Sequence, residues 1–265
     1  MTRVVLATAY GGPEVLAVVD RPVGDPGPGQ ARVEVRAAGV NPADWKSYTG
    51  AFGTDPAALP RRLGFEVSGV VTAVGPDAAA SVGDEVIAFR VSGGYAAEPV
   101  HGAAGGVGLM AVQLAALRGA RVVGTVGGEG ADLVRRFGAE PVRYGDGLAG
   151  RVRELAPDGV AAAVDCVGTD EAVDVSLELV ADRQRIATIA AFGRAGDAGI
   201  KALGGGPGAD PGTELRDAAR PELAALAGNG RLEVVVAGSF PLEEVAAAHR
   251  QGMAGHTHGK LVLLP

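Results

Sequence analysis

The hydrophobic pattern changes once along the chain. Before about residue 100, short runs rich in β-branched residues (Val4–Thr8, Val15–Asp20 and Arg32–Ala37) are separated by glycine and proline. That spacing predicts β-strands. Asp25-Pro26-Gly27-Pro28-Gly29 reads as a turn, because strand patterning resumes at once. Asn41–Lys46 reads as a capped turn or short helix, Phe65–Val74 as a long strand, and Val82–Phe89 as a turn entering another strand. From Gly102 onward helix and strand alternate. Helices are expected up to Gly119 and over Gly130–Phe137, Leu148–Leu155, Glu171–Val180, Thr213–Ala227 and Leu242–Gln251. Strands are expected over Ala120–Thr125, Pro141–Tyr144, Val160–Val167, Arg185–Ala190, Leu232–Ala237 and Lys260–Leu264. Such alternation predicts an α/β fold with a doubly wound parallel sheet.

Composition narrows the function classes. The 265 residues are 47% apolar but only 4% aromatic, so the expected core is aliphatic with many glycine turns. A formal charge of −7 speaks against nucleic acid or an anionic membrane as partner. No apolar run approaches the roughly 18 residues of a membrane span. Met1–Leu6 enters a strand pattern directly, without the apolar stretch and cleavage site of a signal peptide. A cytoplasmic location is therefore expected. The single cysteine, Cys166, permits no internal disulfide and reads as a buried, inert thiol.

The candidate chemistry centres on His101-Gly102-Ala103-Ala104-Gly105-Gly106-Val107-Gly108. Ala103, Gly105 and Gly108 occupy the three small-residue positions of a G-x-G-x-x-G-type turn feeding a helix. Small residues there let the backbone approach a pyrophosphate, whose charge then meets the helix N-terminus. The residues before this turn, Ala96-Ala97-Glu98-Pro99-Val100, make a poor buried strand. The strand after it ends Gly124-Thr125-Val126-Gly127-Gly128, with no carboxylate to hold a ribose diol. This favours NADPH over NADH, although Arg135 and Arg136, the nearest bases considered, default to a solvated helix face.

The chain resembles the medium-chain dehydrogenase/reductase superfamily, specifically its zinc-free quinone oxidoreductase branch. The carriers are Ala38–Asp44, Leu63–Val71, Val82–Val86, the glycine loop, Asp165-Cys166-Val167-Gly168 and Gly259–Leu263. The resemblance implies a β-rich GroES-like catalytic domain from both chain ends (residues 1–98 and 229–265). A Rossmann domain (99–228) is inserted between them. It further implies NADPH, reduction of a quinone or α,β-unsaturated carbonyl, and a homodimer. Where zinc-dependent relatives carry ligands, this chain has Phe65 and Asn41. The departure is a shortfall of several tens of residues before the glycine loop, expected to open the cleft and expose sheet edges.

A carbonyl reduction needs a donor where negative charge builds. Asn41, Lys46 and Tyr48 are the catalytic candidates. Asn41 before Pro42 is equally a turn residue, and Lys46 equally a solvated one. Asp44 reads as a helix cap and Glu66 as a hydrogen-bonded structural carboxylate. Cofactor contacts are expected at Ala104, Gly105, Gly106, Val107, Thr125, Tyr144, Val167, Gly168, Ala191 and Phe192. His101 and His249 read as structural, and His256-Thr257-His258 lacks a third metal ligand. Two other classes remain open at this level. One is a derived non-redox cyclase, dehydratase or isomerase using Glu66, Lys46 or Tyr48. The other is a non-catalytic partner subunit.

Overall fold

A computed structural model describes residues 2–89, 100–206 and 208–265. The chain divides into two compact units, Met1–Val91 with Val236–Pro265, and Ser92–Val235.

The first unit starts with β1 (Thr2–Ala7), β2 (Leu16–Arg21) and β3 (Ala31–Val40), then helix α1 (Pro42–Tyr48). Next come β4 (Arg61–Arg62), β5 (Glu66–Val74) and β6 (Glu85–Phe89). These pairings are antiparallel, as short connections rich in Gly and Pro favour. β3 and β5 slip register twice, between Arg32 and Val33 and between Val35 and Ala37, which bends the sheet.

The first strand described in the second unit is β7 (Val100–His101); of the poor strand expected over Ala96–Val100, only Val100 lies within the described residues. Then follow α2 (Gly106–Leu117), β8 (Val122–Val126), α3 (Ala131–Arg136), β9 (Ala139–Arg143) and α4 (Leu148–Leu155). The second half runs β10 (Ala163–Asp165), α5 (Asp170–Leu179), β11 (Ile186–Thr188), α6 (Phe192–Ala198), β12 (Lys201–Ala202) and α7 (Thr213–Gly228). All six strands are parallel, in the order β12-β11-β10-β7-β8-β9. Strand order therefore reverses at β7, with β8 on one side and β10 on the other. That reversal is where doubly wound sheets open a ligand crevice at the strands' carboxyl ends. Both faces are covered. Leu109, Val112 and Ala115 of α2 pack with Val122 and Val126 on one face, and Val123 and Val142 pack with Leu148 and Val152 of α4 on the other.

The chain returns to the first unit later than Gly228. Gln113 of α2 bonds Glu233 twice, receiving its N–H at 2.8 Å and donating to its carbonyl at 3.0 Å. Leu232 is buried against Leu114 and Leu226. These contacts keep residues 229–235 in the second unit. Consequently the strand expected over Leu232–Ala237 forms instead as β13 (Val236–Pro241). Helix α8 (Val245–Ala254) and β14 (Lys260–Leu264) complete the first unit. Its larger sheet has the order β13-β14-β3-β5-β6. Leu261 and Leu263 of β14 join Val40, Val245 and Ala248 in its core.

His249 of α8 sits in that core with Tyr48, their rings stacked at 5.7 Å and Tyr48 Oη 2.8 Å from His249 Nδ1. Trp45 meets the imidazole edge-on at 5.9 Å. Desolvation lowers the His249 pKa from 6.5 to about 4. The unfolded chain therefore binds a proton that the folded chain excludes. Stability is expected to fall as pH drops from about 6.5 toward 4, at up to about 1.4 kcal/mol per pH unit for one such group. Urea unfolding at pH 7 and pH 5 should show the loss, and His249→Asn should shrink the difference between the two pH values.

Candidate active site

Every expected cofactor contact lies at the carboxyl edge of the parallel sheet, because all its strands point the same way. The glycine loop leaves β7 through Gly102, whose φ is +69°. It enters α2 at Gly105, an N-cap without a side chain. The first-turn N–H groups of α2 have no intrahelical acceptor, and nothing at the cap competes for them. Gly108 is required by close approach: a Cβ there would lie 2.3 Å from the Gly102 carbonyl oxygen. Ala104 is buried and offers backbone only, whereas Val107 is exposed in the first turn of α2. This arrangement fits a pyrophosphate.

Tyr144 follows β9, half its surface open, with its ring alongside Gly127 at the end of β8. Val167 is exposed beyond β10, next to Gly168. Ala191 and Phe192 follow β11, where the structure begins α6 rather than ending a strand. The Phe192 ring packs directly beneath Gly206, whose added Cβ would fall 2.6 Å from Phe192 Cγ.

Two buried side chains that the expected site omits hold these loops in place. Asp165 Oδ1 accepts the N–H groups of Val167 (2.9 Å) and Gly168 (2.8 Å). Its Oδ2 accepts the Thr188 hydroxyl at 2.6 Å. Thr188 Oγ1 in turn accepts from Ala190 N and Ala191 N. One carboxylate and one hydroxyl thus fasten the turns after β10 and β11 to each other. The signal for Asp165 was its position at the end of an otherwise apolar strand. Cys166, half-buried beside it, has its thiol pushed up to about 12 by desolvation and the neighbouring carboxylate. It is an inert thiol at neutral pH.

Two of the expected site residues, Thr125 and Tyr48, spend their hydroxyls on internal bonds. Thr125 is buried and its hydroxyl is used internally, 3.3 Å from both Gly102 N and His101 Nδ1. It braces the loop. His101 Nε2 pairs with Ser176 Oγ at 3.0 Å, and burial lowers the imidazole pKa. Tyr48 is fully buried, its hydroxyl pKa raised to about 12 mainly by desolvation, and its oxygen taken by His249. It belongs to the core of the first unit and does not present a donor.

The other catalytic candidates lie at the start of α1. Asn41 is half-buried at the N-cap, and its backbone N–H donates to Asp44 Oδ2 at 2.7 Å. Asp44 is buried and also accepts Gly64 N at 2.9 Å, so it caps as expected. Burial raises its pKa, against the lowering effect of those two bonds and of Lys260. Lys46 is exposed in the last turn. Lys260, which the sequence reading did not single out, donates to Asn41 Oδ1 at 2.5 Å and pairs with Glu66 Oε1 at 2.5 Å.

Together these features define a dinucleotide-binding unit joined to a β-rich unit carrying a polar amide–lysine–carboxylate cluster. The family model for the alcohol dehydrogenase GroES-like domain matches residues 27–128. That for the zinc-binding dehydrogenase domain matches residues 106–204. A quinone oxidoreductase of Pseudomonas aeruginosa is 33% identical over the whole of both chains. That alignment runs for 334 positions against 265 residues here, so at least 69 positions have no counterpart in this chain. A mycobacterial protein solved in complex with NADPH is 29% identical over the whole of both chains, with a TM-score of 0.80. The Escherichia coli quinone oxidoreductase, also solved with NADPH, shares the fold at 24% identity and a TM-score of 0.82 over both whole chains. The chain belongs to the medium-chain dehydrogenase/reductase superfamily, in its quinone oxidoreductase branch.

Proposed function

We propose that this protein is an NADPH-dependent, zinc-independent oxidoreductase that reduces a quinone or an α,β-unsaturated carbonyl. The observation that carries the reading is the glycine loop entering α2 at the point where strand order reverses, closed by Gly108 against Gly102. NADPH, when bound, supplies the hydride. The first-turn amides of α2 would hold its pyrophosphate, Tyr144 would cover the adenosine, and the turns fastened by Asp165 and Thr188 would line the nicotinamide side. Asn41 would donate from Nδ2 to the carbonyl oxygen on which negative charge builds. The names of the relatives speak for this chemistry over a cyclase, dehydratase or isomerase. Lys260 supports zinc independence. Its ammonium, bonded to both Asn41 and Glu66, would repel a divalent cation where zinc-dependent relatives bind one. Among the described residues no helix is long and apolar enough to cross a membrane. A homodimer accords with the family resemblance, and analytical ultracentrifugation tests it.

Calorimetric titration with NADPH and NADH, followed by loss of nicotinamide absorbance with para-benzoquinone, tests the function. Saturable binding preferring NADPH, with quinone-dependent oxidation, is expected. No binding of either nucleotide by the folded protein would overturn it.

Arg143 explains the preference. It ends β9 in register with Val126 at the end of β8, immediately before Tyr144. Arg135 and Arg136 are paired with Asp132 and Glu233. Arg143 has no carboxylate partner among the described residues and is exposed. Its guanidinium is available for a 2′-phosphate. Arg143→Ala is expected to weaken NADPH about tenfold, some 1.4 kcal/mol, and to leave NADH binding unchanged in the same titration.

A further inference from the structure

Four separated segments of the first unit converge on one small cluster. Gly39 lies in β3, Asn41 caps α1, Glu66 opens β5 and Lys260 opens β14. The Lys260 ammonium is 2.5 Å from Asn41 Oδ1 and 2.5 Å from Glu66 Oε1. An ammonium has donors only. The Asn41 atom facing it is therefore the amide oxygen, and the opposite orientation would set NH2 against NH3⁺. Both N–H bonds of Asn41 Nδ2 are thereby directed away from the lysine. The Asn41 backbone is held independently, by the Asp44 carboxylate on its N–H.

We infer that Lys260 is a positioning residue for carbonyl reduction: it locks the Asn41 amide so that its NH2 group, not its oxygen, is offered to the substrate's carbonyl oxygen. This rests on the reading of the chain as a quinone or enone reductase. Without Lys260 the amide oxygen is left only the neutral capping contact with the Asp44 backbone N–H, a weaker hold than the ammonium, and the flipped orientation sets an acceptor against the developing oxyanion. Glu66 balances the ammonium and holds it in place, which leaves the cluster able to act without a metal. Gly39 is the steric consequence. A Cβ at that position would lie 2.0 Å from Glu66 Oε1 and 2.8 Å from Lys260 Cε, so a glycine interrupts the interior of a long strand to let the pair cross it.

Lys260→Met keeps the length and apolar stem while removing every donor, and Lys260→Gln serves as a second variant if the first fails to fold. In quinone turnover at saturating NADPH, Lys260→Met is expected to lower kcat about tenfold or more, with Lys260→Gln intermediate and Lys260→Arg recovering most of the loss. The calorimetric Kd for NADPH should stay within about twofold of wild type. In an Asn41→Ala background, Lys260→Met should have no further effect on kcat, because the lysine acts through that amide. A Lys260→Met enzyme with wild-type kcat overturns the inference, as does a loss of equal size in the Asn41→Ala background. A folded wild-type protein without NADPH-dependent turnover of any quinone or enone overturns the underlying reading instead.

Discussion

Gly108→Ala is expected to weaken NADPH binding at least about a hundredfold, roughly 2.7 kcal/mol. Two effects of the substitution oppose each other. Alanine is the better helix former by about 1 kcal/mol, so in isolation α2 would gain. The new methyl group, however, would lie 2.3 Å from Gly102 O, 2.9 Å from Ala103 Cα and 3.0 Å from Ala103 C. All three atoms are backbone and cannot rotate aside. The loop must move off the helix, and with it the first-turn amides proposed to receive the pyrophosphate. Gly150→Ala is the control. It sits in α4 with open space where a Cβ would go, and should raise stability slightly while leaving NADPH affinity unchanged. Calorimetry of both variants against wild type reads the difference; unchanged affinity in Gly108→Ala would mean that the loop does not carry the cofactor.

Asp165→Ala should strongly destabilise the second unit. Asp165 is 1% exposed and accepts three donors: Val167 N, Gly168 N and Thr188 Oγ1. Removing the carboxylate leaves the buried Thr188 hydroxyl without its acceptor, at about 1–3 kcal/mol, and frees two part-buried backbone N–H groups at a smaller cost each. Relief of a buried charge offsets part of that cost. A net loss of about 3 kcal/mol is expected, which lowers Tm by about 6–12 °C in a chain of this size. NADPH affinity should fall too, since the turns after β10 and β11 lose their common anchor. Asp165→Asn separates the two roles. Its Oδ1 can still accept Val167 N and Gly168 N, while its NH2 meets a Thr188 hydroxyl that must turn away. It should lose less than half as much stability as Asp165→Ala. Equal losses would mean that the charge, not the acceptor geometry, holds the loops.

Local signals made some elements legible to the residue. α4 (Leu148–Leu155) and β14 (Lys260–Leu264) form where their patterns place them, each bounded by glycine. α6 was not legible. Its sequence, Phe-Gly-Arg-Ala-Gly-Asp-Ala, carries two glycines and little helix propensity, and it is held by packing Ala195 and Ala198 against Val173 and Ile186. β13 slipped C-terminally because Gln113 and Leu114, far away in sequence, hold Glu233 and Leu232 on α2. The site divides in the same way. The glycine loop announces itself by residue type and spacing, whereas Asn41 is singled out only by the family resemblance. Tyr48 and Thr125 have suitable hydroxyls, yet both are directed inward, which no short-range pattern encodes.

By itself the sequence determined the family resemblance, the βα alternation and the glycine loop, because glycine positions, capping residues and hydrophobic periods are local properties. It also determined that several tens of family residues have no counterpart here. Only the tertiary structure decided which polar groups are spent holding the protein together and which are left to act. Thr125, Tyr48 and His101 are used within the interior. The Asn41 amide oxygen meets the ammonium of Lys260, 219 positions away. A hydrogen bond between distant segments depends on where the sheets bring them, and each donor can be committed only once the fold has set its neighbours.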